Sequence, residues 1–301
     1  MSGPGLRCSA QAGLESKIMT GSPFASRRAA FRKLHEEGCF VIPNPWNAGT
    51  ARYLRHLGFP AVATTSAGFA FSRGLPDAAW AVSRAEMLAH IAEMVDSVDL
   101  PVNADFESGY EHHPEGVAES VRLCVETGVA GLSIEDATGD RLDPLYEVAL
   151  AAQRIRAARE AIDEAGADVL LTARAECFLT GHTDPFREAV RRLQAYAEAG
   201  ADVLFAPGVR TREDIRELVA AVRPKPVNLL MSANTGLTVA GLAELGVRRI
   251  SVGSALARAA WTGFLRAARA IAAEGSFSGF DGLVPFGEIN GFFRDDRARR
   301  G

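Results

Sequence analysis

Four acidic residues carry the strongest chemical signal in this sequence: Asp105 and Glu107 in the segment PVNADFESG, and Glu135 and Asp136 in AGLSIED. Residues two apart in an extended chain share a face, so Asp105 and Glu107 are expected to project together. If the two segments are neighbouring parallel strands, about 4.8 Å apart, three or four carboxylates converge in one small volume. Left unpaired they repel and raise one another's pKa. A divalent cation relieves this most simply, and oxygen donors with no His or Cys nearby select Mg²⁺, with Mn²⁺ as the substitute. The competing expectation is that the acids pair with basic residues at the strand ends, Arg174 first among them.

Arg174 closes the segment LLTARAECF, where a guanidinium can take a substrate carboxylate in bidentate fashion. Glu176 shares its parity. Cys177 has the opposite parity and is expected to pack behind the sheet rather than attack a substrate. In TTSAGF, the small residues Ser66, Ala67 and Gly68 can bring backbone N–H groups close to an oxyanion; a tight turn without function is the alternative. Asp77, on the loop that follows, is placed to reach a metal's outer shell. His112 and His113 are candidate proton shuttles or simply solvated loop residues. Tyr146, following Pro144, is a candidate acid or a packing residue. Asn228 opens a loop, Asn228 to Thr235, that is expected to contribute to substrate binding.

These residues need elements to hold them. From Cys39 onward, short β-branched runs alternate with longer stretches of helical period, the form of repeated βα units. Eight strand candidates begin at Cys39, Ala61, Pro101, Ala130, Asp168, Asp202, Pro226 and Arg248. The stretch after Pro114 illustrates the helices: Val117, Val121, Cys124 and Val125 recur on one face while Glu119 and Arg122 turn outward. Gly58, Gly128, Gly200 and Gly246 each stand where such a stretch stops, as a left-handed helix terminus requires. The fold class is therefore α/β, a single-domain (β/α)₈ TIM barrel, a fold of typically about 250 residues. A doubly wound open sheet ranks second, because no strand leads into a G-x-G-x-x-G turn and polar residues gather at strand C-termini.

The chain divides into a flexible N-terminal tail (1–28), the barrel (29–275) and a C-terminal extension (276–301). The extension carries five Phe residues with neither clean helical nor clean strand period. Its rings must be buried against its own barrel or exchanged between subunits.

The bulk numbers narrow the partners. A formal net charge of -4 in 301 residues gives no electrostatic reason to expect nucleic acid. The hydrophobic fraction of 48% and charged fraction of 23% are those of a globular protein. No stretch reaches the roughly 18 apolar residues of a membrane span, and the first 25 residues lack the apolar core of a secretory signal. The four cysteines form no C-x-x-C pair, which fits a reducing, cytoplasmic setting. The expected partner is a small carboxylic acid.

The strand-end segments ADFESGY, LSIEDATGD, LLTARAECFLTGH and VLFAPGV resemble the isocitrate lyase and phosphoenolpyruvate mutase superfamily, over about Phe31 to Gly275. Its most specific element is D-x-[DE]-x-G-Y followed one strand later by I-E-D. The resemblance implies Mg²⁺-bound 2-oxo or 2-hydroxy acids whose C–C or C–P bonds are cleaved or formed through an enolate. Carried over by position, it makes Asp105 the direct metal ligand, and Asp77, Glu107 and Glu135 the holders of metal-bound waters. Ser66, Ala67 and Gly68 become the backbone pocket and Arg174 the carboxylate clamp. It also implies a homotetramer, or a smaller homo-oligomer such as a dimer, with a last helical segment exchanged between subunits. One departure stands out. The lyases carry K-[KR]-C-G-H on the loop after the fourth strand, and the mutase and phosphonopyruvate hydrolase a loop with Lys and Asn; here that loop reads ATGDRLDPLY. Thr138, Asp140, Arg141, Asp143 and Tyr146 are the replacements on offer. The expected activity is a Mg²⁺-dependent carbon–carbon lyase, by retro-aldol cleavage or decarboxylation, with Arg174, Glu135 and Tyr146 as its catalytic groups. A phosphonate mutase or hydrolase, or a barrel that binds an α-keto acid without turnover, are the alternatives.

Overall fold

The computed structural model describes residues 23–300. All eight expected strands form: β1 (Phe40–Ile42), β2 (Val62–Ala63), β3 (Val102–Asp105), β4 (Gly131–Glu135), β5 (Leu170–Arg174), β6 (Val203–Phe205), β7 (Val227–Leu230) and β8 (Arg249–Ser251). They make one parallel sheet in the order β1-β8-β7-β6-β5-β4-β3-β2. The remaining seam is bridged by the Ala63 N–H donating to the Pro43 carbonyl at 3.0 Å. Helices alternate with the strands, giving the (β/α)₈ barrel. At Gly128 the chain leaves the helix Pro114–Glu126 with φ of 89° and enters β4 almost at once, a conformation that side chains with a Cβ resist.

Strand parity divides the sheet into two faces. Leu132 and Ile134 of β4 and Leu171 and Ala173 of β5 are fully buried against the helical ring, where Val121, Cys124, Ala158 and Ile162 meet them. The opposite parity points inward and is polar: Asn103, Asp105, Ser133, Arg174, Asn228, Arg249 and Ser251 all line the central cavity. The apolar filling lies beneath it. Phe31, Phe40, Ile42, Ala61, Ala63, Ala130 and Leu170 form a separate cluster that plugs the bottom of the barrel.

That plug corrects the expected N-terminal boundary. Residues 1–22 lie outside the described residues, but a helix already runs over Pro23–Leu34, so the tail does not extend to 28. The physical reason is Phe31, which is 0% exposed and has nowhere else to be buried. Arg27 donates to the Val95 carbonyl at 2.9 Å, and Arg28 donates to those of Val129 and Val125 at 2.9 and 3.1 Å, fastening the helix.

The C-terminal extension also differs from its sequence pattern. The helix Ala255–Glu274 ends on left-handed Gly275, and a second helix occupies Phe286–Arg300, where periodicity had indicated none. Two rings and one ion-pair cluster tie it to its own barrel. Phe292 stacks edge-on against Tyr53 at 5.0 Å, and buried Asp296 pairs with Arg300 at 3.0 Å and Arg52 at 3.9 Å. A helix held at a few points needs no continuous apolar stripe. Phe277, Leu283 and Phe286 stay exposed on the single chain.

Candidate active site

A cavity of about 310 Å³ opens at the C-terminal ends of the strands, where barrels of this class place their chemistry. Asp105, the last residue of β3, sits on its wall. Its Oδ2 accepts from both the backbone N–H and the hydroxyl of Ser66, each at 2.9 Å, and its own N–H donates to Thr64 Oγ1 at 2.8 Å. Arg174, two strands away, stands among carboxylates: Glu135 at 3.1 Å, Asp105 at 3.5 Å, and Glu176 in close contact. Burial works against its charge, but Glu135, Glu176 and Asp105 outweigh it and hold the guanidinium protonated. The same burial raises the carboxyl groups of Glu135 and Glu176, with Arg174 opposing. The pairing expected as the alternative to a metal is thus present, with Arg174 at its centre.

Asp77 joins Asp105 on the cavity wall, and burial followed by the Asp105 charge pushes its carboxyl upward. Glu107 is arranged differently from the expectation. β3 ends at Asp105, and Glu107 lies in a turn with φ of 47°, so the strand parity on which its placement rested does not apply. Its carboxylate turns off the cavity wall and accepts from the Trp80 N–H at 3.2 Å and the Tyr110 hydroxyl at 2.9 Å. Burial pushes this carboxyl up to about 7, although both hydrogen bonds pull the other way. Trp80, Glu107 and Tyr110 are the three non-glycine residues with positive φ among the described residues. Left-handed backbone costs about 1–2 kcal/mol per residue, and here that strain is concentrated in one hydrogen-bonded knot beside the acids.

Several expected partners are elsewhere. Asp136 points behind the sheet, where it accepts from Arg192 at 3.0 Å, the Tyr196 hydroxyl at 2.5 Å and the Glu176 N–H at 2.8 Å. Of the four expected acids, Asp105 and Glu135 therefore converge, on Arg174, while Glu107 and Asp136 turn away. Tyr146 is also withdrawn: its ring lies under the Arg154 guanidinium at 3.9 Å, its hydroxyl meets His112 Nδ1 at 2.6 Å, and it is absent from the cavity lining. Burial raises its pKa, and the contacts it makes are those of a packing residue. Cys177 is fully buried, with its thiol pushed up to about 12. The TTSAGF segment is the first turn of a helix, Ser66–Ser72, capped by Thr65. The Ser66 N–H is given to Asp105 and the Gly68 N–H to Thr65 Oγ1 at 3.1 Å. Of the expected backbone pocket, Ala67 lines the cavity with an N–H of the kind a first helical turn leaves unused. Gly68 is needed for packing, since a Cβ there would lie 2.6 Å from Thr65 Cγ2 and 3.3 Å from Ala257 Cβ.

Asn228 forms part of the cavity floor, donating to Ser251 Oγ and accepting from Arg249 Nε, both at 2.9 Å. Arg249 was not found from sequence, although it shares inward parity with Ser251 in RRISVGS. It is 3% exposed, and burial lowers it to about 9, still charged at neutral pH. Asn44 was missed too. It accepts from the Val252 and Gly253 N–H groups and donates to the Thr64 carbonyl, joining the ends of β1, β2 and β8. Arg258, Ser232 and Ser254 complete the rim.

The donors suit a hard cation. Among the described residues, no three acidic, His or Cys side chains stand close enough to grip one ion together. A hard cation such as Mg²⁺ takes one or two carboxylates and keeps several waters, so it would have to be held through Asp105 and water. Asp105 would touch the ion and Asp77, on the same cavity wall, would hold surrounding waters, while Glu107, engaged by Trp80 and Tyr110, and Glu135, paired with Arg174, stand off the wall.

The family model of phosphoenolpyruvate phosphomutase matches residues 31–272. The chain belongs to that family. A solved Burkholderia cenocepacia J2315 protein, provisionally assigned as a lyase/mutase, is 47% identical with a TM-score of 0.85, covering 90% of this chain and 96% of that one. The structure of 2,3-dimethylmalate lyase, a member of the PEP mutase/isocitrate lyase superfamily, is 26% identical with a TM-score of 0.79, covering 94% of this chain and 98% of that one. 2-Methylisocitrate lyase of Bacillus subtilis (strain 168) is 29% identical over 213 residues, 66% of this chain and 65% of its own length. With lyases of this kind among its relatives, the chain is an enzyme of the carbon–carbon lyase type. The loop Ala137 to Tyr146 is the segment that lacks the motif expected from the resemblance. Here the loop is pinned by a bridge between Ala137 and Leu145, and Gly139 passes so close to Ala79 that a Cβ would lie 2.3 Å from that residue's own.

Proposed function

We propose that this enzyme is a Mg²⁺-dependent lyase that cleaves a carbon–carbon bond of a small 2-oxo or 2-hydroxy carboxylic acid, by retro-aldol cleavage or decarboxylation, through an enolate. One observation carries the reading: Asp105 is fixed by Ser66 at the cavity wall within ion-pair reach of Arg174, the one guanidinium among those lining the cavity that is set among acids. Decarboxylation breaks the bond between C3 and a departing carboxylate, which leaves as CO₂ while its electron pair forms an enolate with negative charge on the 2-oxygen. Retro-aldol cleavage of a 2-hydroxy acid breaks C2–C3, the hydroxyl giving up its proton to become a carbonyl and the departing fragment taking the pair as its own enolate, which then takes up a proton. Mg²⁺, which Asp105 would hold, would supply Lewis-acid stabilisation of that charge. The chain's own residues do the rest. Arg174 turns to the substrate carboxylate and orients it, a bidentate task for which lysine is a poor substitute. Glu135, one strand over and 3.1 Å from Arg174, keeps that guanidinium aimed at the cavity. Phe205, Leu179 and Leu230 close the wall and exclude water from the reacting carbons.

The exposed apolar residues of the helix Ala255–Glu274, among them Trp261, Phe264 and Leu265, support a homo-oligomer, a tetramer or a dimer. No helix among the described residues is long and apolar enough to cross a membrane, and the cysteine pattern supports a cytoplasmic setting. The test is to incubate the protein and Mg²⁺ with oxaloacetate, 2-methylisocitrate, dimethylmalate and phosphonopyruvate, following products by proton and phosphorus NMR. Pyruvate-type or decarboxylated products from a carbon acid are expected; turnover of the phosphonate alone would refute the reading.

A further inference from the structure

The floor of the barrel holds a buried positive charge with nothing negative beside it. Arg249 is 3% exposed, bridges from β8 to β3 and β5, and pairs with no carboxylate among the described residues. Its Nε donates to Asn228 Oδ1 at 2.9 Å and one Nη to Thr172 Oγ1 at 3.0 Å. The other Nη reaches only Asn103 Oδ1 and His35 Nε2, each at 3.5 Å, the outer limit of a hydrogen bond. His35 is neutral, pushed down to about 3 by burial and then by the Arg249 charge. A guanidinium carries five N–H donors, so the Nη held by Thr172 keeps a second hydrogen without an acceptor. Buried charges in proteins are normally paired, because desolvating a lone ion is costly. Burial pulls this guanidinium down to about 9, which leaves it charged at neutral pH.

The groups around it are donors as well. Ser251 Oγ accepts from Asn228, and Thr172 Oγ1 accepts from Arg249. Neither hydroxyl donates to an acceptor among the described residues, so both protons are available to a guest. Arg249, Asn228 and Ser251 line the central cavity. Thr172 and Asn103 stand two residues before Arg174 and Asp105 on β5 and β3, which puts the Arg249 fork one layer, about 6.6 Å of strand rise, beneath those two. Arg174 is already surrounded by Glu135, Asp105 and Glu176. The uncompensated charge is the lower one.

We propose that Arg249, Thr172 and Ser251 form a binding site for one small monovalent anion, a halide such as chloride, on the floor of the barrel. The Asp105 carboxylate above sets the size and charge of the guest. A dianion would turn its second charge toward Asp105, and an organic acid would bring its carbon chain up against the same carboxylate. A monatomic ion accepts from every direction and meets neither obstacle. The site is independent of the acid-cleaving reading above, since it uses neither the metal nor the substrate.

The test is thermal unfolding of the full chain in EDTA, without substrate, as sodium chloride replaces sodium isethionate, a bulky sulfonate, at a constant ionic strength of about 0.2 M. Chloride is expected to raise Tm by about 3–6 °C once it reaches roughly ten times its Kd, and bromide to act in the same way. Arg249→Met keeps the side-chain length and removes the charge, and is expected to show no halide response. A buried ion replaced by an apolar group of similar size is often tolerated, so the variant is expected to fold. A second measurement needs no variant: crystals of the unaltered protein in sodium bromide are expected to show an anomalous bromine peak within about 3.5 Å of the Arg249 Nη atoms. A Tm indifferent to halide, a response that survives Arg249→Met, or crystals with no peak at Arg249 overturns the proposal. With metal and substrate both absent, each of these outcomes leaves the acid-cleaving reading standing.

Discussion

Replacing Glu107 by Gln is expected to stabilise the metal-free protein above neutral pH. Glu107 is a buried carboxylate whose pKa rises from 4.5 to about 7 on folding, chiefly through burial. The folded state therefore binds this proton more tightly than the unfolded one, and the sign follows from linkage: the contribution of this group to stability is greatest below pH 4.5, falls as the pH rises toward 7, and levels off above it. A difference of roughly 2.5 units at 1.36 kcal/mol each amounts to about 3 kcal/mol at pH 8. Gln keeps the shape and an acceptor for the Trp80 N–H, and its amide can donate to the Tyr110 hydroxyl, so the charge is what changes. For a chain of this size each kcal/mol moves Tm by about 2–4 °C. The measurement is thermal unfolding of both proteins in EDTA, from about pH 4 to about pH 8.5, the range that spans both pKa values. Curves that coincide near pH 4 and diverge to about 6–12 °C at pH 8, with the Glu107→Gln variant the more stable, are expected. A constant offset across pH, or a less stable variant at pH 8, would refute the argument that desolvation of Glu107 dominates over its two hydrogen bonds.

Other outcomes follow from the same geometry. Asp105→Asn is expected to abolish the Mg²⁺-dependent rise in stability, which at a hundredfold excess over Kd is worth about 2.7 kcal/mol; differential scanning fluorimetry against Mg²⁺ concentration reads it. Gly68→Ala forces a methyl group to 2.6 Å from Thr65 and 3.3 Å from Ala257, so urea unfolding should show a loss of about 1–3 kcal/mol from overpacking. Tyr146→Phe removes the 2.6 Å contact with His112 but keeps the ring under Arg154. It should cost about 1 kcal/mol of stability and leave kcat within a few-fold; a hundredfold fall in kcat would restore Tyr146 as a proton donor.

The sequence was sufficient for the barrel because its signals are local and repeated. Each strand is a short apolar run, each helix a 3.6-residue pattern, and glycines such as Gly128 mark where one hands over to the next. Strand parity also placed Asp105 and Arg174 on the inner face, and Cys177 behind it, since alternation is a property of the extended backbone itself; Asn228, expected to open a loop, lies within β7 instead. That reasoning failed where the backbone stops being extended. Glu107 lies just past the end of β3 in a left-handed turn, and a turn is chosen by what closes on it, here Trp80 and Tyr110 from loops distant or near in sequence. The surroundings of Asp136 and Tyr146 were not legible because a carboxylate or hydroxyl takes whichever partner the packing brings, and Arg192, Tyr196 and His112 are brought only by the folded ring. The helix over Pro23–Leu34 was hidden because the reason for it, the open bottom of the barrel, exists only after closure.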